Sequence, residues 1–202
     1  MANRVDGKRK KKNDLLEAAY QLFTEKGVDS TTISDIAKGA GLGKGTFYLY
    51  FRDKQDIRQA LILKKSNEFF QKIHKKNYAI HQDTVEDEVL NMVDLMVDEL
   101  ARAPKLLRFI AKNLGWGLIH KALLQDDNPE EETNEFYQWY TDLIQRSNRK
   151  FRNEELLVYM IFEFVGATSY DVILNNDPVP LDELKEEFAY IIPQMIQSQE
   201  IK

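Results

Sequence analysis

Cysteine is absent from the 202 residues, and proline is scarce. Without cysteine the chain forms neither a disulfide framework nor a thiolate metal site, which suits a reducing compartment. Only five prolines occur, and the first is Pro104, so no proline interrupts helices in the first half. The longest apolar run, Leu156 to Phe162, is too short to span a membrane, and no apolar segment follows the basic N-terminus as in a signal peptide. We therefore expect a soluble, cytoplasmic protein.

The sequence also lacks the patterns typical of catalysis or metal binding. Its three histidines, His74, His81 and His120, are scattered, and no cluster of carboxylates accompanies them. No Ser-His-Asp order and no paired-carboxylate spacing stands out. We therefore expect no enzymatic activity, no metal and no cofactor.

Charge is distributed unevenly along the chain. Residues 1–76 carry 17 Lys/Arg and 9 Asp/Glu, a net +8, whereas residues 77–202 carry 11 and 24, a net −13. Such asymmetry suggests that one end of the protein meets a polyanion. Residues 1–11 are expected to form a disordered or half-ordered basic arm in which Lys11 and its neighbours contact phosphates. A purely solubilising tail is the alternative.

The most specific stretch runs from Thr31 to Phe51, TTISDIAKGAGLGKGTFYLYF. Its first half predicts a helix, because apolar residues recur at helical spacing from Ile33 to Ala40. Thr32 with Asp35 three residues later matches an acidic variant of the capping box at the start of this helix. The glycine after Ala40 can adopt the left-handed conformation that ends it.

The second half, KGTFYLYF, predicts another short helix that begins after Gly43. Phe47, Tyr50 and Phe51 lie three to four residues apart and can pack on the first helix. Two short helices joined by a tight glycine turn are typical of the helix-turn-helix, whose second helix enters the major groove of DNA. The opposite face of that second helix carries Lys44, Thr46 and Tyr48.

Alternating glycines from Gly39 to Gly45 raise a second interpretation, a nucleotide-binding loop. Gly43-Lys44 is similar to the end of a phosphate loop, but Lys38 stands where the first glycine is required. Gly45 replaces the Ser/Thr that binds magnesium, and no βαβ unit surrounds the segment. A nucleotide-binding enzyme is therefore the remote alternative.

The stretch, with the RDKQDI that follows it, resembles the DNA-binding domain of the TetR family of bacterial transcriptional regulators. The similarity covers about Lys10 to Ile62. One departure is Gly43, where the family often has serine, so a possible cap and phosphate contact is missing. The family pattern is matched at Thr32, Ile36, Ala37, Ala40, Gly41, Gly45, Tyr48, Tyr50, Phe51 and Lys54.

The resemblance implies a homodimer that presents two recognition helices to successive major grooves of a near-palindromic operator. It places Lys44 and Gly45 at base edges, with Thr46 on a base or the backbone. The remaining residues implied at the DNA surface are Thr32, Gly43, Tyr48, Tyr50 and Lys54, most of them on phosphates.

The rest of the chain predicts an all-α fold of about nine helices. The helix-turn-helix domain is expected over residues 12–53, with its motif at about 33–52 and its first helix starting near Lys12. A long helix from Lys54 to Lys76 then leads into a helical C-terminal domain over residues 54–202. The basic segment from Arg149 to Asn153 is expected to be exposed, and Pro193 to kink or end the last helix.

The resemblance also implies that the C-terminal domain dimerises. The helix after Asn153 is apolar nearly all round, and small residues near its middle would let another helix approach. The alternative is that these helices simply fill the core of one protomer. The expected interface residues are Tyr159, Gly166, Ser169, Tyr170, Leu184, Phe188, Ile191 and Met195.

A small-molecule effector is implied by the resemblance, and its pocket is the least determined feature. Glu163 is suggestive because it interrupts an apolar run, and a buried carboxylate needs a partner. That partner could be a cationic effector, or an arginine of the same chain or of the other subunit. The candidate pocket residues, most of which could equally be core, are Met92, Met96, Phe109, Trp116, His120, Tyr137, Tyr140, Phe162 and Glu163.

The sequence therefore predicts a nucleoid-associated, sequence-specific transcriptional regulator. On this interpretation it is a homodimeric repressor that a small effector releases from its operator. The alternative from another class is an architectural DNA-binding protein on the same fold, with a filled C-terminal core and no effector.

Overall fold

The computed structural model describes residues 2–77, 83–111 and 135–201, with side chains over 7–76, 83–110 and 139–201. Within these ranges the chain forms nine helices and no strand, apart from an isolated antiparallel bridge between Phe151 and Glu200. The all-α prediction is confirmed. The helices are α1 (Ala2–Lys26), α2 (Ile33–Gly39), α3 (Lys44–Phe47), α4 (Lys54–Asn77), α5 (Val85–Arg102), α6 (Pro104–Ala111), α7 (Glu135–Ser147), α8 (Glu154–Asn175) and α9 (Leu181–Gln199).

The chain divides into two compact units, Met1–Lys65 and Ser66–Lys202. We call them the head and the C-terminal unit. The boundary falls inside α4, so the head includes the first half of a helix that the sequence analysis assigned entirely to the C-terminal domain. Helix α4 is continuous from one unit into the other.

The core of the head is built from the apolar faces of α1 to α4, as their periodicity predicts. Gly39 stands where α2 passes closest to α1, because a Cβ at this position would lie 3.3 Å from the Cβ of Ala18. The buried side chains are Leu15, Leu16, Ala19, Phe23, Ile36, Ala37, Phe47, Phe51, Ile57, Leu61 and Ile62.

Helix α1 is longer than the sequence predicts. It begins at Ala2 and not near Lys12, so the segment expected to be a disordered or half-ordered arm continues the helix. Lysine and arginine have good helix propensity, and the segment holds no proline that would stop the helix. The basic residues from Lys8 to Lys12 are therefore exposed on a helix.

Helix α5 is tied to its neighbours in the C-terminal unit by buried carboxylates. Glu99 accepts hydrogen bonds from Lys72 and Lys76 of α4. Glu88 accepts at 3.0 Å from Trp139 Nε1 and at 3.0 Å from Arg146 Nη2, both on α7. These contacts fix α5 against α4 and α7, beside the apolar core.

Arg149 is half-buried, which contradicts the prediction that residues 149–153 form an exposed basic segment. Its guanidinium donates at 2.8 Å to Glu86 and at 2.8 Å to Glu200, and both carboxylates raise the pKa of Arg149. The contact joins the start of α5 to the end of the chain. Pro193 does not end the last helix, since α9 continues to Gln199.

Helix α8 is, among the described residues, the one helix long and apolar enough to cross a membrane. Its buried residues, Leu157, Ile161, Val165, Ser169 and Val172, recur every three to four positions and pack into the core. This face is that of a core helix in a globular domain. The outward face carries further apolar side chains, including Leu156, which is 44% exposed.

Candidate nucleic-acid interface and ligand cavity

Helix α2 begins with the predicted capping box. Thr32 Oγ1 accepts a hydrogen bond from Asp35 N at 3.1 Å, and Thr32 N donates to Asp35 Oδ2 at 3.0 Å. Thr32 is exposed, and its hydroxyl uses only a lone pair in the cap. The hydroxyl proton is therefore left to donate to an outside acceptor such as a phosphate oxygen.

Asp35 also joins α2 to α1, because its carboxylate lies 2.8 Å from Lys26 Nζ. The hydrogen bond from Lys26, followed by those from Thr32, lowers the pKa of Asp35 to about 2. The carboxylate stays ionised at neutral pH and holds the start of α2 in place.

The turn between α2 and α3 adopts the predicted geometry. Gly41 has φ +68°, the left-handed conformation that favours glycine. Gly43 is extended and precedes α3 without a side-chain cap, and Leu42 between the two glycines is half-buried. The glycines follow a helix and not a strand, which is not the context of a phosphate loop.

The edge of α3 is open. Gly43, Lys44 and Gly45 are exposed, and a Cβ at either glycine would contact nothing within 4 Å. Packing within the head therefore does not require glycine at position 45. Any requirement comes from outside the protein, where a glycine lets another surface approach the backbone closely.

Aromatic residues anchor α3 and the turn after it. Phe47 and Phe51 are buried with their ring centroids 5.8 Å apart. Tyr48 packs edge-on against Phe47 at 5.5 Å but stays 51% exposed. Leu49, which the sequence analysis did not select, is 76% exposed beside Tyr48. The remaining candidates, Thr46 and Tyr50, are half-buried.

Lys54 does not point outward, so its prediction as a phosphate contact is wrong. Its ammonium donates to three backbone carbonyls of the loop before α2: Val28 O at 2.8 Å, Asp29 O at 3.3 Å and Thr31 O at 3.1 Å. A lysine has three N–H donors, and all are used here. Lys54 instead fixes the loop that leads into the recognition motif.

The C-terminal unit contains a cavity of about 410 Å³. Five of the predicted pocket residues line it, namely Met92, Met96, Tyr140, Phe162 and Glu163. Phe109 is buried but is not among the described residues of the wall. Trp116, His120 and the side chain of Tyr137 lie outside the described residues. The volume is that of a site for a small organic ligand.

Glu163 is half-buried at the cavity wall. Over the part of the chain with described side chains, its carboxylate contacts no hydrogen-bond donor or cation. The internal arginine that the sequence analysis considered as a partner is therefore not found there.

The predicted dimer residues separate into three groups. Ser169, Leu184 and Phe188 are buried in the core of the protomer, which favours the alternative that these parts of the helices fill the core. Gly166 and Tyr170 lie at the cavity wall. Tyr159, Ile191 and Met195 are half-buried. Tyr190 of α9, which was not predicted, is 70% exposed.

Comparison with known proteins identifies the head. Residues 15–61 match the family model described as bacterial regulatory proteins of the tetR family. The uncharacterised HTH-type transcriptional regulator YvdT of Bacillus subtilis is 26% identical over 176 residues, which cover 87% of this chain and 84% of YvdT.

Solved structures extend the likeness to the whole fold. A TetR family regulator from Shewanella sp. PV-4 superposes with a TM-score of 0.67 at 15% identity, covering 95% of this chain and 99% of that one. The regulator FadR of Bacillus subtilis in complex with stearoyl-CoA gives a TM-score of 0.59 at 20% identity, covering 89% and 96%. The head of the chain thus matches the TetR family of bacterial regulatory proteins, and the chain shares its fold with solved TetR-family structures.

Proposed function

We propose that this regulator is a homodimeric repressor that binds a near-palindromic operator in the bacterial cytoplasm and leaves it when a small effector binds. The observation that carries the proposal is the exposed Gly43-Lys44-Gly45 edge of α3, held by a capped α2 and a buried aromatic anchor. An edge that presents a lysine and bare backbone fits the floor of the major groove.

The DNA contacts follow from exposure. Lys44 and Gly45 reach base edges, with Thr46 beside them. The exposed hydroxyls of Thr32 and Tyr48 and the half-buried Tyr50 contact phosphates, and Lys11 adds a contact from the basic end of α1. Lys54 is not included among the DNA contacts, because its ammonium donates hydrogen bonds to three backbone carbonyls of the protein.

Dimerisation is supported by the outward faces of α8 and α9. Leu156 and Tyr190 are exposed apolar side chains on these two helices. Pairing the faces about a two-fold axis would bury them and would present two heads to half-sites about 34–36 Å apart. Tyr190→Glu is expected to yield monomers by analytical ultracentrifugation, whereas Lys105→Glu, which adds the same acidic group at an exposed site on α6, should leave the dimer intact.

Effector control is supported by the cavity and by the course of α4. Ser66, Phe69 and Phe70 of α4 line the cavity, and the same helix continues into the head. If α4 can adopt two positions and a ligand binds one of them more tightly, the ligand increases the population of that conformation. Only one of the two conformations needs to place both heads correctly on DNA for the ligand to control binding. A cavity of this size supports effector control, because the effector-free architectural alternative expects a filled core. FadR of Bacillus subtilis, which has a similar fold, was solved with stearoyl-CoA. This supports ligand binding by the fold but does not identify the ligand of this chain.

The test is selection of duplexes from a randomised library, followed by fluorescence anisotropy on the selected and a scrambled duplex. We expect a palindromic consensus bound by two protomers, with the selected duplex preferred. Lys44→Ala should reduce this preference by about 1–3 kcal/mol, whereas Lys105→Ala on α6 should not. Failure to enrich any sequence would overturn the proposal of sequence-specific binding.

A further inference from the structure

The described wall of the cavity contains one charged side chain, Glu163, and no lysine, arginine or histidine. The other described side chains are almost all aliphatic, aromatic or methionine. A ligand that fits this wall has a hydrocarbon body, because it displaces water from apolar surface. Among the described wall residues, Glu163 is therefore the side chain that can interact with a charge on the ligand.

Two polar groups at the cavity have no partner among the described residues. One is the carboxylate of Glu163, and the other is Ser66 Oγ, in a residue only 3% exposed. Leaving the buried Ser66 hydroxyl unpaired is costly, and the half-buried Glu163 carboxylate is a charged acceptor at the same cavity wall. A ligand that offers N–H donors would satisfy them, and an ammonium group carries donors without acceptors.

Aromatic rings on the cavity wall can also attract a cation. Phe69, Phe70, Trp139, Phe162 and Tyr170 all line the cavity, and the faces of such rings attract positive charge. The net charge of −13 over residues 77–202 adds a long-range field that attracts cations. Rings, a carboxylate and the surrounding field thus favour the same class of ligand.

We propose that the cavity binds a lipophilic organic cation, a protonated amine on a hydrocarbon body, with Glu163 as its counter-ion. The proposal rests on the effector function proposed above and names the chemical class of that effector. Such a cation differs from the stearoyl-CoA in the FadR structure, because the phosphates of an acyl-CoA are anionic.

The polar cleft beside the cavity does not supply a site for an anionic head group. The cleft, of about 390 Å³, shares Tyr140 and Ile144 with the cavity wall and contains Arg149, Lys150 and Glu154. Arg149 is already neutralised by two carboxylates. Lys150 lines the cleft together with the acidic Glu154, so the described cleft carries little net positive charge for a phosphate or a carboxylate.

The test is isothermal titration calorimetry of the full chain with decylamine, decanol, decanoate and lauroyl-CoA at neutral pH. The first three differ only in the head group, which is cationic, neutral or anionic. We expect decylamine to bind at least about tenfold more tightly than decanol, because a hydrogen bond between charged groups adds to the same apolar burial. Decanoate and lauroyl-CoA are expected to bind more weakly than decanol.

Glu163→Gln keeps the shape of the side chain and removes its charge, so it should abolish the preference for decylamine over decanol. Glu25→Gln removes the same charge from an exposed site on α1 of the head and should retain the preference. Thermal melting and ultracentrifugation of both variants check that fold and dimer are unchanged. The proposal is overturned if Glu163→Gln still prefers decylamine over decanol. It is also overturned if the only effect of Glu163→Gln is to dissociate the dimer.

The proposal is also overturned if none of the four compounds binds, or if decanoate or lauroyl-CoA binds best. These results leave the regulator function standing, because selection of an operator is measured separately and without ligand. Release of the selected duplex by decanoate but not by decylamine would keep effector control and reject the cationic class. Release by decylamine that disappears in Glu163→Gln would support both.

Discussion

Lys76 of α4 and Glu99 of α5 form an ion pair in which Nζ lies 2.8 Å from Oε2. Glu99 is 6% exposed and also accepts a hydrogen bond from Lys72, so two lysines of α4 share one buried carboxylate. Their hydrogen bonds hold the pKa of Glu99 below its ordinary value. Both helices contribute to the cavity wall, so this ion pair helps fix the width of the cavity.

The two sides of this ion pair are expected to differ in importance for stability. Replacing both lysines with methionine leaves a buried carboxylate without a partner and should lower the free energy of unfolding by about 3–5 kcal/mol. Glu99→Gln leaves two lysines that can turn to solvent and should cost only about 1–3 kcal/mol. Urea unfolding of the variants measures both values, and equal costs would contradict the asymmetry.

Lys54 is expected to stabilise the head and not to grip DNA. Lys54→Met removes the hydrogen-bond donor of three loop carbonyls. It should therefore lower the free energy of unfolding of the head by about 1–3 kcal/mol. The salt dependence of DNA binding, measured by anisotropy under conditions where the variant is folded, should keep its slope. Lys38→Met, an exposed lysine on α2, is the control for stability. A flatter slope for Lys54→Met would show that its ammonium does reach a phosphate.

Gly45→Ala is expected to separate folding from DNA binding. Its Cβ would project into open space, and alanine favours a helix more than glycine does, so the melting temperature should stay the same or rise. On DNA the added methyl group should keep the backbone of α3 from the base edges and weaken specific binding by about tenfold or more. Gly41→Ala is the contrasting variant. Alanine is strained at the φ of +68° that Gly41 adopts, so this variant should destabilise the head by about 1 kcal/mol. If Gly45→Ala leaves the affinity for the operator unchanged, the backbone of α3 does not approach the base edges closely at this position.

The basic end of α1 is expected to add affinity without specificity. Replacing Lys10, Lys11 and Lys12 with glutamine should weaken binding to selected and scrambled duplexes equally. The slope of log affinity against log salt should fall by roughly 0.9 for each phosphate that the variant no longer neutralises. Lys105→Gln on α6 controls for a change in overall charge. A slope identical to that of the wild type would mean that these lysines bind no phosphate.

The Lys26–Asp35 ion pair predicts a defined acid sensitivity. The pKa of Asp35 is about 2 in the folded head, whereas an aspartate in the unfolded chain titrates at about 3.9. Between these values the unfolded state binds more protons, so stability from this group is complete above about pH 4 and is lost as pH falls toward 2. The difference in melting temperature between the wild type and Asp35→Asn should therefore shrink over that window. A difference independent of pH would contradict the assignment.

Local sequence was sufficient for the recognition motif. The pair Thr32 and Asp35 predicted the capping box, and Gly41 predicted the left-handed turn, because each depends on residues within one helical turn. Helical periodicity was also sufficient to predict the all-α fold and the long helix α4. Five of the cavity residues were also predicted, since large aromatic and methionine side chains on inward faces surround whatever space the packing leaves.

Errors arose where a side chain's partner is far along the chain or on another surface. The apolar stripe of Leu184 and Phe188 predicted burial correctly, but periodicity does not say whether the covering helix belongs to the same protomer. The basic end of α1 was predicted to be a disordered or half-ordered arm, whereas the structure continues α1 back to Ala2, in keeping with the helix propensity of lysine and arginine.

The sequence by itself determined the all-α fold, the cap and turn of the motif, and the resemblance of the head to the TetR family, because these depend on short spacings and local backbone preference. The tertiary structure decided which charges are available. Lys54 bonds a carbonyl 23 residues away, and Glu99 bonds a lysine 27 residues away, so neither pairing is visible in local spacing. It also left Glu163 at the cavity without a described partner, since only packing determines which carboxylate meets a cation.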